Sequence, residues 1–241
     1  MRRFAIKTLE FDKVKDILSE KTATFLGSQA AASLRIESNI AVVKRMHEET
    51  GEALFLLNEG KRFPFGGAYD ITVDVKRAEI GGILEAAVLL KIMTTAIAIR
   101  QMRTFLVDEN RCPVLSAISL SLDIFPRLEK QIGNVVDDHG EIKDSASLKL
   151  NGLRSAIQIA KNRVRERLNS ILHNTENQKY FQDTLVTMRG DRYVIPVKQE
   201  YRMNFPGLVH DQSGSWATLF IEPMEIVNLN NDIKRYQSEE K

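Results

Sequence analysis

His210, Asp211 and Ser213 are the residue types of an acyl-transfer triad, in which histidine takes a serine proton and a carboxylate orients the imidazole. Their spacing argues against that chemistry. Neighbours on one extended segment point alternately to opposite faces, so the three cannot converge on one reacting atom. A loop whose polar side chains bond to its own backbone is the simpler reading. Asp137, Asp138 and His139, with Glu141 nearby, are metal-ligand types, yet Asp137-Asp138-His139-Gly140 reads as a polar turn between helices. His47 and His173 stand alone on helical segments without HExxH spacing, so no zinc site is indicated. Gly60-Lys61 lacks the preceding glycine of a phosphate cradle and is followed by Arg62, so ATP binding by that route is not expected. With no catalytic set, the chain does not read as an enzyme by itself.

The residues that remain are cationic. Between Lys149 and Arg202 stand eleven basic and five acidic residues, a local excess of +6 in a chain whose net charge is +2. Arg189, Arg192, Lys198 and Arg202 fall on a hairpin and its continuation, where side chains can face a nucleic-acid backbone. Arg163 and Arg167 extend the set onto the preceding helix. Tyr193 and Trp216 lie close enough to pack on sugars or bases, although each taken alone fits strand packing. The expected mode is electrostatic and does not read sequence. The competing reading is a solvated helix face that only keeps the chain soluble.

The elements that must position these cations are mostly helical. Residues 11–60 read as short helices, one capped by Asn39 and stopped by Gly60. Phe65-Gly66-Gly67 is a turn, Asp70 to Arg77 a further short helix, and Leu84 to Leu106 a strong one. Pro126 suits the first turn of a helix to Val136. Asp144-Ser145 offers a cap to the longest helix, Ala146 to Leu172. Its apolar seam runs Leu150, Leu153, Ile157, Ala160, Val164, Leu168 and Ile171. Such a helix needs an antiparallel partner, expected to begin near Met224. Between them lies a β-rich island. It comprises a strand at Thr184–Met188, a Gly190-containing loop, a returning strand at Arg192–Lys198, and two short strands at Leu208–His210 and Ala217–Glu222. Pro196 lacks a ladder donor, which places its strand at an edge or bulge.

At 241 residues, 43% hydrophobic and 27% charged, the composition is that of a soluble globular protein. The apolar run Ala86–Leu90 ends at Lys91, far short of a membrane span. Arg2-Arg3 superficially suggests a twin-arginine export signal, but no apolar stretch follows. The single cysteine, Cys112, excludes an internal disulfide framework. A cytoplasmic location without membrane contact is expected.

The chain resembles the N-terminal part of the second branch of the bacterial MutS family, whose members carry a small MutS-related nuclease domain at their C-terminus. The resemblance rests on Leu9-Glu10-Phe11-Asp12, Pro64-Phe65-Gly66-Gly67 with Asp70-Ile71, Arg77-Ala78-Glu79 with Gly82, and Asp144-Ser145-Ala146-Ser147. It is most specific at Arg192-Tyr193-Val194-Ile195-Pro196-Val197-Lys198, at Gly207 to Ser213, at Ala217 to Pro223, and at Leu229-Asn230-Asn231. One departure is Trp216, where the family commonly has Gly. The resemblance implies a mainly α fold with a small β-rich insertion: a helical core (1–142), a long lever helix (143–175), a clamp-like β tip (176–223) and the start of a return helix (224–241). It implies a grip on branched or double-stranded DNA, or on ribosomal RNA of collided ribosomes. ATP and Mg²⁺ are expected only in a following P-loop domain that also forms the homodimer, so that this chain resembles a fragment. The alternative is a helix-packing or dimerisation module with no nucleic-acid contact, its seam taken up by another chain.

Overall fold

The computed structural model describes residues 8–107 and 109–240. The Arg2-Arg3 stretch lies outside them. The chain divides into two compact units, 1–143 and 144–241. Among the described residues no helix is long and apolar enough to cross a membrane.

The first unit is helical: α1 (Phe11–Glu20), α2 (Phe25–Ala32), α3 (Ile40–Asn58), α4 (Thr72–Glu79), α5 (Ala86–Val107), α6 (Pro113–Leu120) and α7 (Pro126–Val135). Asn39 caps α3 by accepting from the Ala41 amide. Gly60, at φ 75, ends it: the Gly60 and Lys61 amides donate back to the Leu57 and Leu56 carbonyls, satisfying carbonyls the helix leaves open. Helix α6 is absent from the sequence expectation. Its first amides are satisfied from far along the chain, because the Glu52 carboxylate of α3 accepts from Val114 and Leu115 at 3.1 and 2.8 Å. A negative charge at a helix start is favourable there. Leu56, Leu106 and the fully buried Cys112 form one apolar cluster, and Ile92, Ile132 and Val136 another. Arg100 holds Glu129 through both carboxylate oxygens and so ties α5 to α7.

The second unit opens with α8 (Leu148–His173). Its cap is Ser147, which accepts from the Leu150 amide at 3.1 Å; Asp144–Ala146 form a separate 3₁₀ turn rather than the cap. At 1.5 Å per residue α8 is about 39 Å long. Its partner is α9 (Val227–Glu240), and two ion pairs fix the direction: Arg154 near the start of α8 meets Glu240, while Arg167 meets Glu225. The helices therefore run antiparallel, and the seam residues Ile157, Ala160, Val164 and Leu168 are buried.

Between the helices lies an antiparallel sheet of β1 (Thr187–Arg189), β2 (Arg192–Lys198), β3 (Gly207–Gln212) and β4 (Thr218–Pro223), in the order β1-β2-β4-β3. The expected first strand, Thr184–Met188, is thus shorter and shifted. Gly190 and Asp191 both have positive φ (52 and 61), as a two-residue hairpin loop between right-twisted strands requires. Pro196 pairs with Phe220 of β4, but its carbonyl accepts from Gln182 on the opposite side. The expectation that Pro196 marks an edge strand or bulge is therefore corrected: β2 lies inside the sheet, between β1 and β4, and its missing donor is tolerated because β1 pairs only with residues 192–194 of β2. Tyr193, Ile195, Val197, Leu219 and Ile221 join Ala160, Val164, Leu168, Leu172, Ile226 and Ile233 in one core. The sheet is built onto the C-terminal half of α8. At Gly207 a β-carbon would meet Ile221 and come within 2.5 Å of the Glu222 carbonyl oxygen, so this one position of the β3–β4 pairing admits only glycine without a shift.

Truncating the fully buried Leu168 to Ala should destabilise the second unit by about 3 kcal/mol, and Gly207→Ala by about 1–3 kcal/mol. Trp216, the only tryptophan, belongs to this unit, so its fluorescence in a urea titration reports both losses.

Candidate nucleic-acid interface

The six candidate cations all lie in the second unit, and the structure gives them different work. Arg192, at the start of β2, turns inward. Its guanidinium donates to Glu222 Oε1 at 2.9 Å and to the Asn231 side chain at 2.7 Å. Glu222 is completely buried, and the pair ties the partly exposed Arg192 side chain into the fold. The same carboxylate takes His210 Nε2 at 2.5 Å on its other oxygen and Asn230 Nδ2 at 2.8 Å. A carboxylate withdrawn from water is tolerable only with its lone pairs filled this way.

Arg202 is also used internally, donating to the Phe205 and Gly207 carbonyls at 3.3 and 3.2 Å, where it shapes the turn into β3. Arg189 lies flat over the Phe220 ring, 3.8 Å from its centre, and pairs with Asp211 at 2.8 Å. Arg167 pairs with Glu225 at 2.5 Å, with both side chains about half exposed. Among the described residues the Lys198 ammonium bonds the Lys179 carbonyl, at 3.3 Å, and makes no ion pair. Arg163 is exposed and has neither ion pair nor hydrogen bond among the described residues. Arg165, on the same helix, is in the same state, although nothing in its local sequence sets it apart. What distinguishes these cations is the presence or absence of an acid 22 to 58 residues away, which local sequence does not display.

The catalytic alternatives come apart in the same geometry. His210 is bound to Glu222, Asp211 to Arg189, and Ser213 Oγ to Ser215 and the Thr218 amide, so the three do not meet. Asp137 accepts from the His139 and Glu141 amides at 2.9 and 2.8 Å, forming the polar turn its sequence indicates. Those backbone hydrogen bonds, that from Glu141 foremost, hold its carboxyl below the usual aspartate range. Among the described residues no group of three or more His, Cys, Asp or Glu could hold a metal ion.

Trp216 stands in the loop between β3 and β4 with φ 61 and is 71% exposed. Glycine adopts that left-handed conformation freely, and tryptophan is strained in it. Trp216 and Lys198 line an open groove of about 520 Å³, together with Gln182, Gln199, Glu200 and Ser215.

Removing Arg192 should expose these assignments. Arg192→Ala leaves the buried Glu222 without its guanidinium and should cost about 3–5 kcal/mol, whereas Arg189→Ala, at a half-exposed pair, should cost about 1 kcal/mol. Urea denaturation of the two variants measures the contrast.

No family model matches the sequence. Similarity to individual proteins is extensive. The chain is 43% identical over 229 residues to the Endonuclease MutS2 of Symbiobacterium thermophilum, taking in 95% of this chain and 29% of that protein. It is 42% identical over 245 residues to the Endonuclease MutS2 of Geobacillus thermodenitrificans, and 37% over 243 residues to that of Alkaliphilus oremlandii. Both matches cover 100% of this chain and 31% of the relative. The chain spans about 30% of the length of these curated relatives, and over nearly all its own residues its sequence is of the MutS2 type.

Proposed function

We propose that this chain is a nucleic-acid-gripping portion of a MutS2-type protein, with the antiparallel pair α8 and α9 as lever and the four-stranded sheet as clamp. The observation that carries this reading is that Arg163 and Arg165 on α8 and Lys198 on β2 have no ion pair among the described residues, in a locally basic stretch of a MutS2-type sequence. Arg163 and Lys198, with Arg165, meet backbone phosphates. Arg189 and Arg167 contribute from exposed pairs that a phosphate can join. Arg192 and Arg202 build the clamp and do not touch the ligand. The ligand is branched or double-stranded DNA, or structured ribosomal RNA, since both present phosphate and the contacts do not read bases.

The chain by itself is a cytoplasmic binding module and not an enzyme. ATP and Mg²⁺ belong to a P-loop domain in another part of a longer polypeptide, as do the nuclease and the homodimer contact. Gly60 and Lys61, the one Gly-Lys pair considered for a phosphate cradle, use their amides to close α3. The helix-packing alternative is weakened by the same geometry, because Ile157 to Leu168 of the seam are already buried within the chain.

The double reversal Arg163→Glu with Lys198→Glu should weaken duplex DNA binding and lower the slope of log K against log salt by about 2, near 0.9 for each phosphate left unneutralised. Fluorescence anisotropy across a salt series reads both quantities. Binding that ignores salt, or survives the reversals with its slope intact, overturns the reading.

A further inference from the structure

Phosphate contacts account for the free cations but leave Trp216 without a purpose. It is large, apolar and 71% exposed in a strained backbone conformation. Exposed single hydrophobic residues are ordinary. A residue held at an unfavourable φ is not, because the surrounding structure must keep it there.

That structure can be named. The Trp216 amide donates to the Ser213 carbonyl at 2.9 Å, and the Trp216 carbonyl accepts from Gln212 Nε2 at 3.3 Å. Ser213 is itself fixed twice to Thr218, through its own amide and by its Oγ accepting from the Thr218 amide. The next residue, Ala217, accepts from the Gln199 amide at 3.0 Å, which ties the loop to the end of β2. The loop is thus over-determined, and the indole is presented from a fixed backbone beside the groove it shares with Lys198.

The groove lining suits one kind of occupant. At about 520 Å³ it has room for a planar heterocycle. Trp216 is the one aromatic residue of its lining. Lys198 supplies a cation with no ion pair among the described residues, and Gln182 supplies an amide able to pair with donors and acceptors on a base edge, while the Gln199 side-chain oxygen already accepts from Gln212 Nε2 at 3.0 Å. Glu200, the one acid of the lining, accepts from amino groups and repels phosphate. We propose that Trp216 and Lys198 form a stacking site for one unpaired nucleobase, the indole taking the base face and the ammonium the adjoining phosphate. Stacking of this kind ignores base identity because every base offers a π-face. Paired bases inside a duplex keep theirs hidden, so the site selects unpaired nucleotides such as those at single strands and branch points. The proposal rests on the nucleic-acid reading above and adds to it a preference that phosphate contacts alone do not create.

Because Trp216 is the only tryptophan of the chain, its fluorescence reports this site directly. The intact chain is titrated with a labelled oligothymidylate and with a blunt duplex of equal length, following label anisotropy and indole emission together. The expected result is a rise in anisotropy with both, and quenching of Trp216 by the single strand only. Trp216→Gly, which keeps a residue suited to φ 61, should lose ~10-fold or more in oligothymidylate affinity while duplex affinity stays the same. A rise in anisotropy without quenching overturns the stacking site and leaves the phosphate reading standing. Equal single-strand affinity of parent and Trp216→Gly does the same. Flat anisotropy with both ligands overturns the two together.

Discussion

The second unit is organised around one carboxylate. Glu222 has no exposed surface, and Arg192 from β2, His210 from β3 and Asn230 from α9 converge on it. Asn230 also bonds the Tyr193 amide and carbonyl, clipping the start of α9 to the β2 backbone. Withdrawing a charge from water is costly, and the cost is offset only if every partner arrives. That requirement fixes what the apolar core leaves loose. Leu, Ile and Val packed between helix and sheet tolerate rearrangement of similar volume, but a carboxylate shifted by one residue would lose its partners and face the other side of the sheet. The bulge at His210 belongs to the same constraint. The register passes from Val209 opposite Ile221 directly to Asp211 opposite Phe220, leaving His210 as the extra residue free to reach Glu222.

This hub also sorts the cations. A guanidinium locked against a buried carboxylate contributes almost no net field and cannot displace counterions from a polyanion. Each unpaired ammonium or guanidinium can do both. Arg192 sits in the most specific part of the sequence pattern and still belongs to the fold, whereas Arg163 and Arg165, on an ordinary helix face, keep their charge free. Charge counted along a sequence therefore overstates what a ligand meets. The excess of +6 between Lys149 and Arg202 includes guanidiniums that the fold pairs with acids, such as Arg192 with Glu222.

Long apolar periodicity makes the helices legible. The seam of α8 and the stripe of α5 repeat over many turns, and Asn39, Gly60 and Pro126 punctuate their helices with local chemistry that structure repeats. Helix α6 is hidden because its eight residues, Pro113 to Leu120, are apolar except for Ser116 and Ser119, too short a run to display a helical period. Its start depends on Glu52, more than sixty residues earlier. The four-residue run from Asp144 to Ser147 offers three capping side chains, and only the backbone geometry selects Ser147. Strand order is likewise invisible. That β4 rather than β3 lies beside β2 follows from Glu222 needing Arg192 on one side and His210 on the other, a pairing across thirty and twelve residues.

The groove beside Trp216 inherits its rigidity from the same source. Strand β4 is held in the middle of the sheet by β2 and β3, and Glu222 near its end anchors it to α9. The loop at the other end of β4 is then fixed through Thr218 to Ser213 and through Ala217 to Gln199. An indole on a mobile loop would have to be ordered each time a base stacked on it, and the lost freedom would subtract from affinity. Held at φ 61 by its loop, the Trp216 backbone has lost that freedom already, in the folding of a sheet whose register a buried carboxylate decides.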